Sequence, residues 1–130
     1  RAREAAVAWY TEGAGAPAVL LARSSDAGAT FAAPLRIDGG REVLGRVALA
    51  RTPDAWWVAW LREAADVQSL HVARVSADAT RIEHAARIAT LTGRGRGTGV
   101  PQLAVDGEGV RVVWTDVVDG APRLRGARVR

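Results

Sequence analysis

The feature that most constrains this chain is that it repeats itself. "VAWYTE" from Val7, "VAWLRE" from Val58 and "VVWTD" from Val112 align on Trp9, Trp60 and Trp114, at steps of 51 and then 54 residues. The first step also carries Arg23 onto Arg74 and Ile37 onto Ile88; the second carries Arg74 onto Arg128, Leu49 onto Leu103 and Gly45 onto Gly99. A chance match loses register within a few residues, so three units of one repeat are present. A period of roughly 40 to 50 residues is that of propeller blades or solenoid units, each unable to bury its apolar face alone.

Within each unit, short runs of Val, Ile, Trp and Leu are bounded by Gly, Pro and Asp, which is a strand pattern. The middle unit is complete, with four strands expected near Gly45 to Ala50, Ala55 to Arg62, Ser69 to Val75 and Ile82 to Ala89. The first unit lacks its opening strand and the third stops after its third. Four short strands per repeat is the make-up of a β-propeller blade. The expected fold is therefore all-β, a partial β-propeller of about two and a half four-stranded antiparallel blades. The whole chain is read as one segment, with units at residues 1–38, 43–89 and 99–130. Trp9, Trp60 and Trp114 are expected at equivalent packing positions between blades, because each offers a large apolar area that a water-facing site would waste. Trp56 and Trp57, adjacent on one strand, are expected to face opposite ways.

Composition narrows the function classes. The formal charge of +4 comes from arginines alone, spread along the strands among 14 acidic residues. A nucleic-acid binder gathers its cations into a patch interleaved with aromatics, so nucleic acid is not an expected partner. No apolar run is long enough to span a membrane as a helix. The chain has no cysteine, which excludes disulfides and thiolate metal sites and leaves the redox compartment open. It also has no Met and opens directly into the strand-like "EAAVAWY". It therefore reads as a piece of a longer polypeptide, whose remaining blades are its first expected partners.

Between the third and fourth strands of the first unit stands Ser24-x-Asp26-x-Gly28-x-Thr30-Phe31. Asp can accept hydrogen bonds from nearby amides, Gly can take a left-handed backbone, and the hydroxyls can tie the ends together, so the stretch suits a turn. It resembles the Asp-box, the S-x-D-x-G-x-T-[WF] repeat of bacterial neuraminidases and related propellers, at every defined position. The middle unit carries a worn version, "SADATRI" from Ser76, with no Gly and with Asp78 read as displaced.

The resemblance implies a six-bladed parent and a bacterial, secreted setting, extracellular or periplasmic. It also implies a structural role for the Asp-box on the face opposite the ligand site, with its aromatic residue anchoring the turn. That would place the loops between second and third strands (residues 12–17, 63–69 and 116–122) and the connections between units (38–46 and 90–101) on the ligand face. There Glu12, Glu63 and Asp116 recur where the second strand ends, with Arg41, Arg46, Arg94 and Arg96 nearby.

In sialidases, arginines hold the substrate carboxylate through charge-assisted forks, a Tyr activated by Glu attacks the sugar, and an Asp supplies acid/base catalysis. Tyr10 and Glu12, two apart on one strand and so on one face, are the catalytic candidates the resemblance points to. Arg46, Arg41, Glu63 and Asp116 are the ligand-binding candidates. The family's arginine segment near the first blade is absent, since Leu35-Arg36-Ile37 is followed by Asp38.

Two readings follow: a non-catalytic propeller surface that binds an acidic glycan or a protein, or part of an exo-sialidase-type glycoside hydrolase. Neither needs a metal or a cofactor. "GRGRGTG" from Gly93 lacks phosphate-loop spacing and reads as a connector. His71 and His84 have no carboxylate at ligand spacing, and "VDGEGV" from Val105 reads as a hairpin turn.

Overall fold

The computed structural model describes residues 3–92 and 100–130. Among the described residues, ten strands form three antiparallel sheets, accompanied by a single 3-10 turn at Gly13–Gly15. Sheet one contains β1 (Ala5–Thr11), β2 (Ala18–Ser24) and β3 (Leu35–Gly39). Sheet two contains β4 (Val43–Thr52), β5 (Ala55–Ala64), β6 (Val67–Ser76) and β7 (Ile82–Leu91). Sheet three contains β8 (Gln102–Asp106), β9 (Gly109–Val118) and β10 (Ala121–Val129). Each sheet is a simple meander, so all chain reversals between β1 and β2, β5 and β6, and β9 and β10 lie at one end, which we term the upper end. The complete middle unit and the three-stranded first and third units match the repeat.

The sheets stack face to face, and two apolar clusters hold them. Val19, Leu21 and Ile37 of sheet one pack with Trp56, Val58, Trp60, Ala73 and Val75 of sheet two. On the opposite face of sheet two, Trp57, Leu61, Leu70 and Val72 pack with Val110, Val112 and Trp114 of sheet three. β5 supplies both clusters because successive side chains of a strand point to opposite faces. Trp56 and Trp57 accordingly separate, and the seven residues Ala55 to Leu61 are all buried. A buried Trp removes about 150–250 Å² from water, an upper bound of about 4–6 kcal/mol each.

The repeat positions behave alike. Trp60 points from β5 toward sheet one and Trp114 from β9 toward sheet two. Trp9 holds the same place on β1 and points away from sheet two, where no described residue of another sheet covers it. The stack is open at both ends.

The upper-end turns are shorter than the sequence reading allowed. β5 and β6 pair through Ala64 and Val67, leaving the two-residue turn Ala65-Asp66. β9 and β10 pair through Val118 and Ala121, leaving Asp119-Gly120. All four turn residues have positive φ, at 50°, 66°, 53° and 77°, the pattern of type I′ turns, whose twist matches that of the strands they join. Residues expected in loops, Glu63 and Asp116 among them, are instead strand residues. Gly107-Glu108 closes the β8–β9 hairpin as expected.

Candidate functional site

The Ser24 turn is a closed knot of hydrogen bonds. Ser24 Oγ donates to Asp26 Oδ1 at 2.7 Å and accepts from the Gly28 and Asp26 amides at 2.9 and 3.2 Å. The Thr30 amide and hydroxyl donate to the two Asp26 oxygens at 2.9 and 2.6 Å. Ala27 and Gly28 take positive φ. Hydrogen bonds from the Thr30 side chain and amide, then from Ser24, pull the Asp26 carboxyl down from 3.8 to about 2.

The second turn preserves this knot. Ser76 Oγ donates to Asp78 at 2.7 Å, and the Thr80 hydroxyl and amide donate to Asp78 at 2.7 and 3.1 Å. Bonds from Ser76 and then Thr80 hold Asp78 at about 2 as well. Asp78 is not displaced: it follows Ser76 by two residues as Asp26 follows Ser24, and the loop is shortened after it. Ala79, at φ 58°, takes the left-handed backbone. Phe31 is 45% exposed and lies beside Val7, Trp9, Ala22, Ala32 and Pro34, where it lines an open trough of about 480 Å³ on the outer face of sheet one.

At the upper end the candidates divide between two sheet junctions. At the first, the Tyr10 ring lies against the backbone of Gly45, so closely that a Cβ there would come within 2.6 Å of it. Burial, then the charge of Glu12, push the Tyr10 hydroxyl above its ordinary value, the opposite of what activates a nucleophile. Glu12 is exposed at the end of β1 and Arg41 is exposed between β3 and β4. Arg46 is half-buried on β4, at φ 55°, directly after Gly45 in a bulged stretch of the β4–β5 pairing. The Glu63 amide donates to the Glu42 carbonyl at 2.7 Å, which ties β5 to the connection.

Asp38 organises this junction, and the sequence reading assigned it nothing. Its Oδ2 accepts from Trp60 Nε1 at 2.7 Å and Arg62 Nη1 at 2.5 Å, and its Oδ1 accepts from the Gly39 amide at 2.8 Å. Burial alone would raise its carboxyl, but the bonds from Arg62, Trp60 and Gly39 outweigh burial and leave it below the ordinary range. Arg62 also pairs with Glu42 at 2.9 Å. His71 stacks on Trp60, with ring centroids 5.7 Å apart, and contacts Ser69 Oγ at 2.8 Å. Burial, then the charge of Arg62, lower its pKa, so the ring is neutral near pH 7.

Asp116 belongs to the second junction and faces inward, only 4% exposed. It accepts from the Thr92 amide at 3.0 and 3.1 Å, from the Thr92 hydroxyl at 3.2 Å and from the Val117 amide at 2.8 Å. It is a buried latch between the end of β7 and β9. The 54-residue step carries Arg62 onto Asp116, so the second junction has an acid where the first has an arginine, whereas Asp38 stands in register with Ala89, three residues before Thr92. The recurrence of a charged residue two positions after the repeated tryptophan, Arg62 after Trp60 and Asp116 after Trp114, was the signal in the sequence for the β5 and β9 sides of the two latches.

At the lower end, Glu4 bridges the first two sheets. Its Oε2 accepts from Arg23 Nε at 2.8 Å, and its Oε1 accepts from Arg51 Nη2 and Nε at 2.8 and 3.1 Å. The Arg51 guanidinium lies 4.8 Å from the centre of the Trp56 ring.

Arg94, Arg96 and the "GRGRGTG" stretch lie outside the described residues. Among the described residues, no group of three or more His, Asp or Glu is placed to hold a metal ion, and no helix is long and apolar enough to cross a membrane. Comparison with known protein families, with curated proteins and with solved structures finds no match to this chain.

Proposed function

We propose that the three sheets are consecutive blades of a β-propeller similar to the Asp-box sialidases, and that the segment presents a non-catalytic surface for an acidic glycan or a protein. The observation that carries the architecture is the paired Ser–Asp–Thr knot. It occurs at the same turn of two successive units, at the end opposite the upper loops, and the sheets bearing it stack on repeated tryptophans.

The absence of a poised catalytic group among the described residues favours a binding surface. Tyr10 is packed on Gly45 with its hydroxyl held protonated, Asp38 is ionised by its partners, and Asp116 is buried in a latch. Arg41 is exposed at the first junction, beside the half-buried Arg46, and a guanidinium there is suited to a carboxylate by charge-assisted hydrogen bonding.

The test is glycan-array binding by the chain and by an Arg41→Ala, Arg46→Ala variant, run beside turnover of a fluorogenic sialoside. Binding of sialylated glycans that the variant loses, without turnover, supports this reading. Hydrolysis by the chain overturns it in favour of the exo-sialidase alternative.

A further inference from the structure

The outer face of sheet one is built as the covered half of an interface. Val7, Trp9 and Ala22 occupy the repeat positions of Val58, Trp60 and Ala73, and those three are 0%, 3% and 0% exposed because sheet one lies over them. The same relation recurs one step on, where sheet two covers Val112 and Trp114. At sheet one, Val7 is 46% exposed and Phe31 extends the apolar surface beside it. What the repeat places over such a face is the opposite face of another sheet of the same kind.

One such face has no described residue of another sheet over it. Val110, Val112, Trp114, Ala127 and Val129 of sheet three turn toward sheet two, so the alternate positions Val113, Thr115, Leu124 and Gly126 face outward. Leu124 is 76% exposed. The two repeat steps together carry Ala8, Tyr10, Val19 and Leu21, the residues with which sheet one covers sheet two, onto Val113, Thr115, Leu124 and Gly126.

The geometry points to a second copy of this chain as the occupant: sheet three of one copy seats on the Trp9 face of the next, repeating the stacking already present twice within the chain. Such a head-to-tail contact is heterologous. It either closes into a ring or continues as an open chain. Two copies joined at both ends would close six sheets. Closure rests on the propeller reading above, whereas the docking itself rests only on the repeated stacking.

Light scattering after size exclusion tests this on the 130-residue chain. A mass of twice 13.7 kDa is expected, and Trp9→Glu and Leu124→Glu should each give a monomer. Mixing the two variants should restore a dimer, because one retains an intact sheet-three face and the other an intact Trp9 face.

A ladder of larger multiples would support the docking and overturn ring closure. A folded wild-type monomer would overturn the docking and leave the trough to a sheet elsewhere in a longer polypeptide. A dimer insensitive to Leu124→Glu, or variants that do not complement, would show an isologous contact and also overturn it. Near-ultraviolet circular dichroism of the four tryptophans other than Trp9 reports whether each variant is folded, and Trp9→Gln is the milder substitute for Trp9→Glu.

Discussion

The carboxylate of Asp38 on β3 accepts the indole N–H of Trp60 on β5 at 2.7 Å, which pins the last strand of one sheet to the packing tryptophan of the next. Arg62 shares the same oxygen. Asp38→Ala leaves the Trp60 N–H without its acceptor and should destabilise the fold by about 1–3 kcal/mol. Asp38→Asn keeps an acceptor and should cost less. Urea unfolding followed by tryptophan fluorescence checks both, and equal costs for the two variants would show that the hydrogen bond to Trp60 is not what matters.

Acid should loosen the two serine–aspartate turns together. The Asp26 and Asp78 carboxyls stand at about 2 in the folded chain against an ordinary 3.8. Because the folded values are the lower ones, their stabilisation is fully present above about pH 4 and is lost as the pH falls toward 2. The melting temperature of an Asp26→Asn, Asp78→Asn variant should change less across that window than that of the wild type. Carboxyl carbon chemical shifts give the two titrations directly, and midpoints near 3.8 would refute the knot as drawn.

Gly45 has two reasons to be glycine. Its φ is 85°, and an added Cβ would stand 2.6 Å from the Tyr10 ring. Gly45→Ala should cost about 1–3 kcal/mol from backbone strain and overpacking. In a Tyr10→Ala background only the backbone part remains, so the penalty should shrink. A double-mutant cycle with no coupling would mean that the ring does not pack on this glycine.

The β5–β6 turn offers a gain. Ala65 holds φ 50° in an exposed two-residue turn, a conformation costly to a residue with a Cβ and open to glycine. Ala65→Gly should stabilise by up to about 1 kcal/mol, read as a higher midpoint in urea with an unchanged slope.

The upper-end arrangement was the least legible part of the chain. Glu63 and Asp116 look like loop acids because the two-residue turns after them are written Ala65-Asp66 and Asp119-Gly120, and only the second carries the glycine that marks a tight turn. Asp116 reads as a surface carboxylate until Thr92, 24 residues away, is placed beside it. Asp38, sitting after Ile37 at the end of a strand, reads as a simple strand terminator until Trp60 and Arg62 arrive from the next sheet.

What this sequence determined by itself was local and periodic: the three units, the strand count in each, the turn at Ser24 and the opposite facing of Trp56 and Trp57. These follow from side-chain alternation and turn chemistry, which act over a few residues. Tertiary structure alone decided which strand faces lie against which, which carboxylates become latches between sheets and which tryptophan is left uncovered. Those outcomes depend on groups some 20 or more residues apart meeting across a packed interface, where burial and hydrogen bonding, not residue type, set the role of each side chain.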